Sequence, residues 1–519
     1  MLAAAGGWPA AGDGGVMSGD NLAGLVRAAA QRHPDKAALI AADRPISWVE
    51  LDSSVDAAAT GLLRLGLQRG ERVALHLGNT PEFVTCWFGA LRAGLVAVPI
   101  NPGSTARELE HLLGDSGARA VVTTAPSALQ GLDNAPEHVV VAGAAVPGAV
   151  GLADLLGGGS RAKDVGAGAD VGGGEDLAVV LYTSGTSGRP RGAMLTHRAL
   201  LANLEQSAQI EPPVVGCDDV VLLVLPLFHV YGLNAALGMV AKQGATGVLV
   251  ERFDPVDTLA QVQRHGITSL VGAPPMYVAW STLPDIGPGL SGVRLALSGA
   301  APLPPQVLRR MLQVTGHHVF EGYGLTETAP TLTSTLLSEV AKPGSIGRPL
   351  SGVELRLLDQ DGHAVEQGDP GEVVVRGANL FSGYWPEGAD GPDADGWFAT
   401  GDVAVQDDDG DLFLVDRRRE LVLVSGFNVY PREVEEVLAT HPDVQEAAVL
   451  GIPDAYTGEA VKALVVARPG SGLTTDDVLA HAARALARFK CPSVVELVDE
   501  LPHSATGKVS KGRLRELAE

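Results

Sequence analysis

Between Asn21 and about Gly299, short apolar runs alternate with stretches of helical periodicity, and this alternation limits the fold more than any other feature of the chain. Strand, helix and strand in succession build βαβ units, so the expectation is stacked, mostly parallel sheets covered by helices. Arg72–Leu77, Leu95–Ile100 and Ala120–Thr124 read as strands. Thr80–Ala93 reads as a helix, because Phe83, Trp87 and Leu91 recur at near-helical spacing. Gly143–Gly174, rich in Gly, Ala and Val, reads as a loose connection before a strand over Leu177–Tyr182.

From Val353 the pattern changes to short strands with Asp361-Gly362 and Asp409-Gly410 turns, which predicts a small antiparallel β region. After Asp416-Arg417-Arg418-Arg419 it changes again, to a compact α+β segment of about one hundred residues. That segment reads as helix Pro431–Thr440, strands Val444–Leu450 and Val461–Ala467, helix Thr475–Phe489 and strand Val494–Val498. The predicted class is α/β: a large N-terminal domain of stacked, mostly parallel sheets with a small β region, then a small α+β C-terminal domain. The expected division is a disordered leader over 1–16, a large domain over 17–418 and a small domain over 419–519.

The chain has 519 residues, of which 46% are hydrophobic and 19% charged, the balance of a globular protein with a sizeable core. Against 61 Asp and Glu stand 38 Lys and Arg, a formal net charge of −23. Nucleic acid or an anionic membrane surface would therefore need a local basic patch that no extended basic tract supplies, and neither is an expected partner. Cys86, Cys217 and Cys491 lie far apart without CxxC spacing, which argues against a disulfide framework or a cysteine zinc site and suits a reducing cytoplasm. Residues 1–16 carry no Lys or Arg and lack the basic-then-apolar order of a signal peptide. Val220–Ala241 is free of charge, but Pro226, His229, Gly232, Asn234 and Gly238 interrupt it, so a strand, a turn and a core helix are expected rather than a membrane span.

The chemistry concentrates in Tyr182-Thr-Ser-Gly-Thr-Ser-Gly-Arg-Pro-Arg-Gly-Ala-Met-Leu-Thr-His197, which follows an apolar strand. Glycines at 185 and 188 let backbone N–H groups approach an anion, the hydroxyls of Thr183, Ser184, Thr186 and Ser187 donate further hydrogen bonds, and Arg189 or Arg191 offsets phosphate charge. The loop lacks the Gly-x-x-x-x-Gly-Lys-Ser/Thr spacing of a Walker A motif. By composition alone it is either a phosphate loop or a polar turn.

This loop resembles the phosphate-binding signature of the adenylate-forming, AMP-binding superfamily, which includes acyl-CoA synthetases, firefly luciferase and peptide-synthetase adenylation domains. Further matching segments follow in the family's order: Pro226–Gly232, Ser298–Pro302, Gly322–Thr328, Trp397–Asp402, Asp416-Arg417, Ser425–Pro431 and Ser504–Lys508. The resemblance spans nearly the whole chain from about Asn21. It implies ATP and Mg²⁺ as cofactors, CoA as acceptor, a carboxylic acid as substrate, and a small domain that rotates about a hinge near Arg419. A homodimer is left open.

The residue roles follow from the same resemblance. Thr183, Ser184, Gly185, Thr186, Ser187, Gly188 and Arg191 hold phosphates; Gly299, Ala300, Ala301, Gly322 and Gly324 border the nucleotide; Asp402 and Arg417 meet the ribose or phosphate. Tyr323 offers an aromatic face to a purine, Thr326 a donor to phosphate, and Glu327 a hard oxygen for Mg²⁺ together with Thr186. Lys508 bridges the acyl carboxylate and the α-phosphate, His229 belongs to the segment lining the acyl pocket, and Gly426 lies in the wall of a thiol tunnel. Taken singly, Tyr323 and His229 read equally as core residues, and Glu327 and Lys508 as solvated surface charges.

Two positions depart from the family's pattern: Arg191 stands where a Lys is usual, and Arg419 where a Lys or Asp hinge is usual. Phe228-His229 lacks the carboxylate that pairs with an amino-acid ammonium, so amino-acid substrates are disfavoured. A fatty acid is the first expectation. The alternatives are an aryl acid, a carrier protein instead of CoA, and a catalytically silent binder, against which Glu327, Asp402, Arg417 and Lys508 all stand.

Overall fold

The computed structural model describes residues 20–144, 146–157, 172–183, 190–284, 286–417, 422–424, 427–454, 458–503, 509–511 and 513–514. The apolar runs pair as expected. One seven-stranded sheet has the order Val150–Gly151, His138–Val141, Ala120–Thr123, Arg72–His76, Val96–Ile100, Leu177–Thr183, Arg191–Thr196. All neighbours in it are parallel except the last pair. Its central strands are buried on both faces, which is why they read as continuous apolar runs without alternation.

A second path is thirteen strands long. Its parallel part runs Ala37–Ala41, Thr246–Leu249, Val220–Leu223, Ser269–Gly272, Leu295–Ser298, Val319–Gly324. It then turns antiparallel through Thr331–Ser334 and Ser345–Pro349, and continues through Leu412–Arg417, Phe398–Gln406, Gly371–Gly377 and Val353–Leu358. The predicted β region is therefore antiparallel but not a separate sheet. Ser345–Pro349 pairs with Thr331–Ser334 on one side and Leu412–Arg417 on the other, and so joins it to the parallel strands.

Helices fill the space between sheets. Pro81–Arg92 is capped by the Thr80 hydroxyl, and Trp48–Arg64 by a Ser47/Glu50 capping box. Both bury aromatic faces: Trp48, Phe83, Trp87 and Phe88 are at most 1% exposed. Burial of each such side chain stabilises the fold by roughly 1.5–3 kcal/mol. Leu152–Gly157 is a short helix where a loose connection was expected, because Leu152 and Leu155 both reach the core and Leu155 packs onto Gly61. Val220–Ala241 resolves into a strand, a turn and a π-helical Tyr231–Gly238 that continues into Met239–Gln243. Among the described residues no helix is long and apolar enough to cross a membrane.

After residue 421 a hairpin, Val422–Val424 with Phe427–Val429, precedes helix Pro431–Ala439 and the antiparallel pair Val444–Asp454 and Gly458–Ala467. Val494–Val498 adds to that pair in parallel. The helix expected over Thr475–Phe489 stops at Ala485, where Leu486 turns extended (φ −112°, ψ 149°) and packs with Phe489 on a core that includes Val434, Val449, Val465 and Val478.

Candidate active site

Parallel strands deliver their C-terminal ends to one crevice, the place where open α/β sheets bind ligands. A cavity of about 3000 Å³ opens there and reaches residues of the C-terminal segment, including Arg432, Lys511 and Arg513. Single-ligand pockets occupy roughly 300–1,000 Å³, so this space suits several substrates at once.

Thr183, at the end of its strand, pairs with Arg191 at the start of the next. The two ends of the hydroxyl-rich loop are thus held one β-pair apart on the cavity wall. Ser184, Gly185, Thr186, Ser187 and Gly188 lie outside the described residues. The Arg191 guanidinium pairs with Asp390 at 2.6 Å and stacks 3.7 Å from the centre of the Tyr384 ring. Backbone bonds tie the Tyr384 segment to the same strand, Met194 N–H donating to Gly383 O (3.1 Å) and Trp385 N–H to Gly192 O (2.8 Å). A planar guanidinium makes both contacts at once, whereas an ammonium would keep the charge and lose the stack, which gives the arginine a local physical reason.

Strand Val319–Gly324 runs into the single turn Thr326–Thr328. Gly324 admits no side chain, since a Cβ would lie 1.9 Å from Pro330 O. Three asparagines pin the turn from behind: Asn234 Nδ2 donates to Ala329 O (2.7 Å), Asn379 Nδ2 to Thr328 O (2.8 Å), and Asn203 Oδ1 accepts from Thr331 N–H (3.1 Å). Thr326 and Glu327 consequently face the cavity from an anchored base. Glu327 Oε1 accepts the Tyr384 hydroxyl, so Arg191, Tyr384 and Glu327 form one continuous path from the end of the hydroxyl-rich segment to the acidic turn.

Tyr323 donates its hydroxyl to Asp402 Oδ2 at 2.7 Å, and the two residues are only 8% and 6% exposed. Asp402 stands opposite Arg417 in the strand register, which brings three separate motifs together; the Arg417 side chain lies outside the description. Gly299, Ala300 and Ala301 follow strand Leu295–Ser298 on the cavity wall. Ala300 has φ +71°, a left-handed backbone that costs a residue with a side chain about 1–3 kcal/mol and is typical of functional loops. Gly299 lies under the Tyr231 ring, which a Cβ would approach to 2.8 Å. His229 lines the same cavity beside Phe228, their ring centres 4.8 Å apart.

Every sequence-predicted site residue whose side chain is described therefore borders a single cavity: Thr183, Arg191, His229, Gly299, Ala300, Ala301, Gly322, Tyr323, Gly324, Thr326, Glu327 and Asp402. Gly426 and Lys508 lie outside the described residues. Sequence reasoning missed Tyr384 and Asp390, for which the only local signal is the aromatic-glycine run Ser382-Gly-Tyr-Trp385. It also missed Glu321, a buried carboxylate on the cavity wall whose Oε1 accepts Leu303 N–H at 2.9 Å.

Burial pushes the Glu321 carboxyl up to about 7, against partial relief from the Leu303 and Gly344 N–H groups and the Arg432 charge. A raised carboxyl binds its proton more tightly folded than unfolded, so its contribution to stability is complete below the ordinary value of 4.5 and is lost as pH rises through about 7. Glu321→Gln is expected to flatten this slope, melting higher than the parent at pH 8 with a gain of no more than about 3 kcal/mol. Thermal melts of both proteins between pH 5 and pH 8 check it; parallel curves would remove Glu321 as the cause.

Comparison with known families matches residues 26–385 to AMP-binding enzymes and residues 433–508 to the AMP-binding enzyme C-terminal domain. The chain belongs to the AMP-binding enzyme family, and within it to the adenylate-forming acyl-CoA ligases. It is 37% identical to a long-chain-fatty-acid–CoA ligase of Yersinia pestis, covering 94% of this chain and 92% of that one. It is also 37% identical to a feruloyl-CoA synthase of Amycolatopsis sp., over 91% of this chain and 93% of that one. Among solved structures it is similar to ATP-bound MatB from Rhodopseudomonas palustris, with a TM-score of 0.87 and 34% identity over 96% of this chain and 99% of that one.

Proposed function

We propose that this ligase joins a fatty acid to CoA through an acyl-adenylate, consuming ATP and releasing pyrophosphate and AMP. The observation that carries the substrate class is the apolar share of the cavity lining, to which Ile210, Val214, Val230, Ala235 and Met239 contribute. An apolar lining of this kind rewards burial of an alkyl chain at about 0.8 kcal/mol per CH₂. The name of the Yersinia pestis relative supports the same class. A second reading, an aryl acid, draws on the aromatic rings of Phe228 and Tyr231 in the cavity lining and on the feruloyl-CoA synthase.

In this reading Thr183, Ser184, Thr186 and Arg191 restrain the β- and γ-phosphates, Tyr323 lies against the purine, and Asp402 and Arg417 hold the ribose. The carboxylate attacks the α-phosphorus while Lys508 steadies the oxygens that gain charge, so positioning and electrostatics carry the step. The small domain, beginning near Arg419, then rotates, withdraws Lys508 and brings Ser425, Gly426 and Phe427 to the thiol path. Mg²⁺ fits the donor set, since Glu327 presents a hard carboxylate oxygen on the cavity wall, and with Thr186 it would hold the ion. Bound there, the ion neutralises phosphate charge. A cytoplasmic location, where ATP and CoA are both present, suits this chemistry.

Acid-dependent pyrophosphate release, measured across saturated fatty acids of graded length and a set of aryl acids with and without CoA, tests the proposal. The expected result is release that rises with alkyl length and yields an acyl thioester. Preference for aryl acids would transfer the enzyme to the second reading, release without thioester would point to a carrier-protein acceptor, and silence with every acid would overturn both.

A further inference from the structure

We propose that Cys217, His33 and Lys36 form a reactive-thiol site, which hydroperoxides oxidise and a small thiol then occupies as a mixed disulfide. Two distant parts of the chain supply the three residues, His33 and Lys36 sharing one short connection. His33 follows helix Gly24–Arg32, Lys36 precedes strand Ala37–Ala41, and Cys217 lies in the turn ahead of strand Val220–Leu223. None of them lines the cavity described above.

Their side chains converge. His33 Nε2 lies 3.4 Å from Cys217 Sγ, and Lys36 Nζ lies 3.7 Å from the same sulfur. Lys36 is fixed in place because its ammonium also donates to the carbonyls of Cys217 and of Gly244, the latter at 2.8 Å. The His33 ring rests against Gly244, where an added Cβ would meet Cδ2 at 2.9 Å, so the main chain backs the imidazole on that side. A nucleophilic thiol needs a base to take its proton, a cation to stabilise the thiolate and access for the electrophile. All three conditions meet at Cys217, which is partly exposed.

The other two thiols lack this surrounding. Cys86 is 1% exposed, and burial together with the Glu82 charge pushes its thiol up to about 12. Burial also raises the Cys491 thiol, whose sulfur points at the backbone carbonyls of Leu486 and Ala487.

In the first step Cys217 gives its proton to His33 and the thiolate attacks one oxygen of hydrogen peroxide. The S–O bond forms as the O–O bond breaks, and the leaving hydroxide takes a proton and departs as water. Sulfur loses two electrons and the peroxide gains two, leaving a sulfenic acid. A small thiol such as glutathione then attacks that sulfur, forming the S–S bond and releasing a second water.

The test uses the full-length protein with substoichiometric hydrogen peroxide, trapping in parallel with a cyclic diketone specific for sulfenic acids and with glutathione, and reads each cysteine peptide by mass spectrometry. Cys217 is expected to react at least about tenfold faster than Cys491. His33→Asn and Lys36→Met are each expected to slow Cys217 by roughly three- to tenfold at pH 7, with circular dichroism and pyrophosphate release unchanged. Because Lys36 also ties two carbonyls, His33→Asn carries the test alone if Lys36→Met does not fold. Reaction at Cys217 no faster than at Cys491, or a rate that His33→Asn leaves unaltered, overturns the site.

Discussion

Lys508→Ala is expected to slow acid-dependent pyrophosphate release about 10²–10³-fold, the usual consequence of removing one group aimed at developing charge. The same variant should form thioester from supplied acyl-adenylate and CoA at nearly the parental rate, because the proposed mechanism uses Lys508 only in the adenylating arrangement of the small domain. Two half-reactions measured separately distinguish this from general damage. A variant equally impaired in both would refute the division of labour and, with it, the withdrawal of Lys508 by rotation near Arg419.

The second large effect concerns the path from Arg191 through Tyr384 to Glu327. Glu327→Gln preserves shape and removes the charge, so adenylation should fall about 10²–10³-fold and respond only weakly to added Mg²⁺. Tyr384→Phe leaves the carboxylate but deletes the hydroxyl that orients it. It should raise the Mg²⁺ concentration for half-maximal activity about 10–100-fold with a smaller loss at saturating metal. Titrating Mg²⁺ against pyrophosphate release in both variants separates ligand from orienting group. If Tyr384→Phe left the Mg²⁺ midpoint where it was, the hydroxyl would be a packing contact and not part of the site.

These expectations differ in how far the amino-acid sequence alone supports them. Glu327 and the loop from Thr183 to Arg191 were legible through the resemblance their motifs carry. By composition alone the loop reads equally as a polar turn and Glu327 as a solvated carboxylate; the order of the surrounding motifs, matched to a family, singles them out. Strands such as Arg72–His76 and Val96–Ile100 were legible for a different reason, since burial on both faces leaves an apolar run that no surface helix produces. The helix after Thr475 was legible at its start, where Thr474 and Asp477 form a capping box, but not at its end. Its stop at Ala485 depends on where Leu486 and Phe489 find a core to pack against.

The order of motifs along the chain, and the residue types within them, established an ATP-using, acid-activating ligase of two unequal parts. Only the folded chain decided which distant groups meet. Arg191 and Asp390 stand 199 positions apart, and Cys217 and His33 184. Nothing in either local sequence names the other, because such pairs are created by strand register and helix packing. Glu321 makes the same point, since the sequence shows a carboxylate in a strand, while the raised proton affinity comes from the walls that the sheet, the Pro302–Pro305 turn and the Arg432 helix build around it. A side chain's chemistry is written in its residue type; its charge state, orientation and partners are set by neighbours that only tertiary packing supplies.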